Sequence, residues 1–121
     1  MAHEKILVVD DSPTDMALMT VPLESAGYQV ITAVDGEEAL EKAVGEQPGL
    51  IVLDIILPKK NGFQVCRQLK TAPETQGIKI IMLTRKTQDS DRFWGLKQGA
   101  DEYMAKPFDD EELLANVARL L

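Results

Sequence analysis

The chain has 121 residues and a mass of 13.4 kDa, which fits one domain whose core needs no staples. Apolar residues make up 45% and charged residues 27%, a balance that excludes disordered, collagenous and low-complexity classes. A net charge of −7 argues against nucleic acid and anionic membrane as partners, since both reward Lys and Arg, and the single cysteine, Cys66, excludes an internal disulfide. The apolar runs are too short to span a membrane, and the start, Met-Ala-His-Glu-Lys, has no leader pattern, so a cytoplasmic setting is expected.

Along the chain, short apolar runs alternate with helix signals. The first run, Ile6–Val9, is followed by Ser12-Pro13-Thr14-Asp15: an N-cap serine, proline at the first helical position and an acid three residues after the cap. Pro22 lies inside that helix, where it removes the hydrogen bond to the Leu18 carbonyl, so a kink or early break is expected. After Gly27, a helix stop, comes the run Val30–Ala33, and Asp35-Gly36-Glu37-Glu38 repeats the cap-plus-acid pattern. The run Leu50–Leu53 precedes a helix whose Phe63, Cys66 and Leu69 form a core stripe. Gly77 and Gly99 read as further helix stops, around the run Ile80–Leu83 and before Tyr103–Ala105. Asp109-Asp110-Glu111-Glu112 caps the last helix, with Phe108 and Leu113 placed for a hydrophobic staple. The runs are continuous rather than alternating, as in strands covered on both faces. Strand followed by helix, five times over, predicts a parallel sheet with helices on both sides and a single domain over residues 1–121, with no effector domain in this chain.

In open α/β sheets, ligands bind beyond the carboxyl ends of the strands. There the sequence places Asp10 and Asp11 after the first strand, Asp54 after the third, Thr84 at the end of the fourth and Lys106-Pro107 after the fifth. Two carboxylates ~5 Å apart at an effective dielectric of ~20 repel by roughly 3 kcal/mol, so a rim that gathers three of them calls for a cation or for raised carboxyl pKa values. Carboxylates with a carbonyl make an oxygen-only site that suits Mg²⁺. Asp54 follows a wholly apolar strand and is held at the centre of the rim; beside a divalent ion, an amine and a hydroxyl, it is a candidate nucleophile toward phosphorus. Lys106 is placed to offset charge on transferring phosphoryl oxygens, and Thr84 to donate a hydrogen bond to one of them.

The set Val9-Asp10-Asp11-Ser12, Leu53-Asp54, Pro58, Gly62, Leu83-Thr84 and Gly99 through Pro107 resembles the receiver domain of two-component response regulators. The resemblance covers essentially the whole chain, and its spacing is specific: 43 residues from Asp11 to Asp54, 30 to Thr84 and 22 to Lys106. It implies a doubly wound, flavodoxin-like (βα)5 fold with strand order 2-1-3-4-5. It also implies that Asp54 is the phosphoacceptor, that Asp10, Asp11, Asp54 and the carbonyl of Ile56 hold Mg²⁺, that Thr84 and Tyr103 shift on phosphorylation, and that Lys106 pairs with the phosphoryl group. The family's Lys-Pro bond, here Lys106–Pro107, is usually cis. The implied partners are a sensor histidine kinase and an output protein, met by docking or by competition for phosphate, with a monomer as the default state. The stretch Gln88-Asp89-Ser90-Asp91-Arg92-Phe93-Trp94-Gly95 is more similar to the twitching-motility PilH subgroup than to the flagellar CheY one. Arg85 departs from the family, which has a small residue after the threonine; a long cation there either narrows access to Asp54 or binds the phosphoryl group.

Several residues have plainer readings. Trp94 suits a partner surface but equally core packing beside Phe93 and Leu96; Cys66 reads as inert core, and His3 as a loose terminal residue. Two other functions are disfavoured. An Asp-nucleophile phosphatase of the haloacid dehalogenase type wants a second acid two residues after the nucleophile, where this chain has Ile56. A flavodoxin-like FMN carrier wants a Ser/Thr/Gly-rich phosphate loop where this chain has Asp10-Asp11.

Overall fold

The structure, a computed structural model, describes residues 4–121, so His3 lies outside the described residues. Strands and helices alternate in the order β1 (Lys5–Val9), α1 (Pro13–Ser25), β2 (Gln29–Ala33), α2 (Gly36–Glu46), β3 (Leu50–Leu53), α3 (Gly62–Thr71), β4 (Lys79–Thr84), α4 (Asp89–Lys97), β5 (Glu102–Ala105) and α5 (Asp110–Leu120). All strand pairs are parallel and the order across the sheet is β2-β1-β3-β4-β5. Both the fold class and the strand order agree with the expectation from sequence.

The register explains why distant residues meet. Val9 lies level with Ala33 and Leu53, Leu53 with Met82, and Thr84 with Ala105. The ladder then runs one residue further: the amides of Asp10, Asp54 and Lys106 donate to the carbonyls of Ala33, Val9 and Thr84 at 3.1, 3.1 and 2.9 Å. Three charged residues therefore leave the sheet at the same edge with their backbones fixed.

Side-chain alternation splits the core in two. Leu7, Val9, Ile51, Leu53, Ile80 and Met82 pack with Ala39, Ala43, Val65, Cys66 and Leu69 of α2 and α3. Ile6, Val8, Leu50, Val52, Ile81 and Leu83 pack with Met19 and Leu23 of α1 and Leu113 and Val117 of α5. No helix among the described residues is long and apolar enough to cross a membrane.

Three local expectations are corrected. α1 is not broken at Pro22; it runs on to Ser25. The missing donor falls in the last turn, next to a solvent-exposed Leu18, while the ring itself is buried beside Leu23. Gly77 is no helix stop: α3 already ends at Thr71, with Ala72 in extended backbone before Pro73, where the proline ring disfavours helix. Gly27 and Gly99 do follow helix ends, with φ of 97° and 109°. Asp109 stands at the N-cap of α5, but its side chain makes no capping bond. The caps at Asp35 and Asn61 are formed, by donors Glu38 N and Gln64 N at 2.8 and 3.0 Å.

Candidate functional site

Lys106 is the hub of the site. Its Nζ donates to Asp10 Oδ2 at 2.6 Å, to Asp54 Oδ2 at 2.8 Å and to Asp15 Oδ2 at 2.9 Å. Asp10, Asp54 and Lys106 are all buried. The second oxygen of each floor carboxylate is tied to backbone: Asp10 Oδ1 accepts from Ser12 N at 2.9 Å and Asp54 Oδ1 from Ile56 N at 3.1 Å. Gly62 makes this floor possible. Its amide donates to the Ile55 carbonyl at 2.9 Å, and a Cβ there would stand 2.3 Å from the Asp54 carbonyl oxygen. Only glycine lets the start of α3 close under Asp54.

Burial and charge act in opposite senses. Burial pushes the Asp10 carboxyl above its usual 3.8 against the pull of Lys106 and Ser12 N. For Lys106, burial works to discharge the amine, but the bonds it donates to Asp10, Asp54 and Asp15 outweigh it and raise its pKa. Asp15 is held below the ordinary carboxylate value by Arg85 first and Lys106 second.

Beyond the floor lies a cleft of about 410 Å³ lined by Asp10, Asp11, Ser12, Thr14, Asp15, Asp54, Ile56 and Arg85. Apart from Arg85, its polar side chains offer carboxylate and hydroxyl oxygens, with neither sulfur nor imidazole. That chemistry fits a hard divalent cation, as does the buried, incompletely compensated Asp10. The carboxylates are spread around the Lys106 ammonium rather than gathered: among the described residues no three His, Cys, Asp or Glu side chains stand together in metal-ligating positions. Asp11 is exposed at the cleft wall, and Ile56 is exposed beside it.

The other predicted residues are placed as follows. Thr84 is buried, and its Oγ1 accepts from Lys86 N at 3.3 Å rather than lining the cleft. Tyr103 is buried, its hydroxyl donating to the Lys86 carbonyl and its own carbonyl accepting from Arg92 Nη1 at 3.1 Å. Burial holds that phenol up at about 12. The loop after β4 therefore connects Thr84 to Tyr103. The Lys106–Pro107 bond is cis. Trp94 is 53% exposed and meets Phe93 edge-on at 6.1 Å; neither is core, so the packing alternative for Trp94 is set aside. Cys66 is buried core, with burial raising its thiol to about 12.

One site residue escaped the sequence reading. Asp15, taken there for a capping acid, does not reach back to its cap; the Ser12 hydroxyl accepts from Asp15 N at 3.3 Å, while the Asp15 carboxylate turns into the cleft. There it accepts from Arg85 Nη1 at 2.7 Å. The signal available was an acid one turn into α1 with an unexplained cation after β4.

The model of the response regulator receiver domain matches residues 6–118. The chain is 44% identical to Protein PilH of Pseudomonas aeruginosa, with 97% of each covered. It is 50% identical to the alkaline phosphatase synthesis transcriptional regulatory protein PhoP of Bacillus subtilis, where it spans only about half, 49%, of that protein. Among solved structures it resembles the chemotaxis response regulator CheY4 of Vibrio cholerae at 34% identity and a TM-score of 0.92, covering 99% of this chain and 100% of the other. It also resembles the receiver domain of a sensor histidine kinase of Pseudomonas aeruginosa, which holds a magnesium ion in its active-site cleft, at 31% identity and a TM-score of 0.91 with 98% of each covered. Strand order, an acidic cleft at the strand ends and a match over nearly every residue converge: the chain belongs to the receiver-domain family of two-component response regulators.

Proposed function

We propose that this domain is a phosphorylation switch that takes a phosphoryl group on Asp54 from the phosphohistidine of a sensor histidine kinase. An Asp54 carboxylate oxygen attacks phosphorus, the P–N bond breaks, the departing imidazole nitrogen takes a proton, and an acyl phosphate remains. Later attack by water on phosphorus releases inorganic phosphate and restores the carboxylate. The domain promotes both steps on itself and turns over no outside substrate. The observation that carries this reading is the buried Lys106 ammonium between Asp54 and Asp10, which join it from 52 and 96 residues away. An amine so held stays charged and lies where negative charge on a phosphoryl group bonded to Asp54 would need it.

Asp10, Asp11, Asp54 and the Ile56 carbonyl are the residues that would hold magnesium. Bound there, magnesium supplies a positive charge that offsets the phosphoryl oxygens. Thr84 and Tyr103, both bonded to the backbone of Lys86, form the connection by which occupancy at Asp54 reaches the exposed side of α4 and Trp94. The output partner is a protein rather than nucleic acid, in keeping with the net charge of −7. Likeness to PilH and to a chemotaxis regulator over the full length of each favours motility or taxis signalling. The 50% identity to PhoP supports a second reading, the receiver part of a transcriptional regulator, in which the same switch governs another domain.

The test is intact mass after acetyl phosphate and Mg²⁺, wild type beside Asp54→Asn. Wild type gains one phosphoryl group and the variant none. A labelled variant would assign the acceptor elsewhere.

A further inference from the structure

We propose that Asp15 is a positioning residue: it holds Arg85 across the mouth of the cleft, and cedes it to a phosphoryl group on Asp54. This deepens the phosphoacceptor reading and rests on it.

Two cations share one oxygen, Asp15 Oδ2, with Arg85 Nη1 at 2.7 Å and Lys106 Nζ at 2.9 Å. The two cations are not alike. Lys106 is nearly sealed from water and already bonded to Asp54, so it has little freedom. The Arg85 side chain is 62% exposed, rises from the end of β4 and reaches a residue 70 positions away in sequence. It is the cation of the cleft that can move.

Four carboxylates, Asp10, Asp11, Asp15 and Asp54, line the cleft with Arg85 as its lining cation. A phosphoryl group on Asp54 replaces its single carboxylate charge with about two on the phosphoryl oxygens, a net gain of about one negative charge carried closer to Asp15. Asp15 then becomes a repelling neighbour and a rival for the same donors. The planar guanidinium, with paired N–H groups, matches phosphoryl oxygens better than a single carboxylate oxygen already shared with Lys106. In the resting protein Asp15 therefore lowers the fraction of time Arg85 is available, and with it the apparent affinity for the phosphoryl group.

The experiment titrates fluoroberyllate in saturating Mg²⁺ by calorimetry against wild type, Asp15→Asn, Arg85→Gln and the double variant, with thermal melts confirming that each folds. Asp15→Asn should bind about threefold or more tightly, a coupling of the size seen for partly exposed charges, and Asp15→Glu should return to the wild-type value. That gain should shrink sharply when Arg85 is already glutamine. Without metal or fluoroberyllate, the Arg85 guanidinium proton resonances should exchange slowly with water in wild type and lose that protection in Asp15→Asn. An equal gain with and without Arg85, or none at all, overturns the inference while leaving Asp54 as acceptor. If wild type neither binds fluoroberyllate nor takes label from acetyl phosphate, the phosphoacceptor reading fails and this inference with it.

Discussion

At the floor of the cleft, Asp10, Asp54 and Lys106 are buried, and each is hydrogen-bonded to another side chain or a backbone amide. On the outer side of α4, Phe93, Trp94 and Leu96 stand well exposed, with Lys97 near the Phe93 ring at 5.9 Å. The usual distribution is thus inverted in both places: charge inside, large apolar groups outside. Buried charge is expensive and persists only when paired. Exposed apolar area contributes little to folding and is more often kept for contact with something else. The floor is fixed by the sheet and its removal should be felt by the fold; the α4 face should be dispensable to the fold.

The largest effect is expected from Lys106→Met. It leaves two buried carboxylates without their shared cation, at a loss of about 3 kcal/mol near neutral pH. The pH dependence has a definite sign. In wild type the Lys106 pKa is raised, so its contribution is complete below 10.5 and is lost only as pH climbs above that value. In the variant, Asp10, already raised from 3.8, is raised further; the folded state then binds more protons than the unfolded one, and stability falls as pH rises through that interval. Urea unfolding should show a gap between variant and wild type that narrows as pH is lowered from neutrality. A gap independent of pH would mean that packing of the lysine stem, not charge, sets the loss.

That floor was legible in the sequence because a parallel sheet in register turns strand ends into neighbours. Val9-Asp10, Leu53-Asp54 and Ala105-Lys106 each carry an apolar strand into a charge, and the ladder holds all three at one edge. Asp15 was not legible for a specific reason. Ser-x-x-Asp after a strand is a capping pattern, and only its serine is used that way here; the partner that diverts the acid, Arg85, is 70 residues away. Asp109 shows the same ambiguity from the other side, a capping residue by type whose carboxylate caps nothing. Local patterns state which atoms are able to bond, and tertiary neighbours decide which do. The same holds for Trp94: a tryptophan between Phe93 and Gly95 fits a buried or an exposed face, and the period of α4 is too weakly marked to choose.

A middle-sized effect separates two adjacent residues on α4. Gly95 faces inward: a Cβ there would lie 2.7 Å from Met82 Sδ and 2.8 Å from the Tyr103 ring. Gly95→Ala should therefore lower stability by about 2 kcal/mol, through overpacking between α4 and the sheet. Because the same ring bonds the Lys86 carbonyl, the substitution should also disturb the amide resonances of Lys86 and Thr84. Normal stability with unshifted resonances would show that α4 slides outward freely, and that Tyr103 is not clamped by it.

The smallest effect belongs to Trp94→Ala, with a change in folding free energy within about 0.5 kcal/mol, as for surface positions generally. Its side chain is half in water and the ring it meets, Phe93, is itself exposed. Measured beside Gly95→Ala by the same denaturant titration, it sharpens the contrast between the two sides of one helix. A loss as large as that of Gly95→Ala would place the indole in the core and remove the reason for assigning this face to a partner. A near-silent substitution that still weakens binding of an output protein would show that the exposed aromatic area serves contact and not folding.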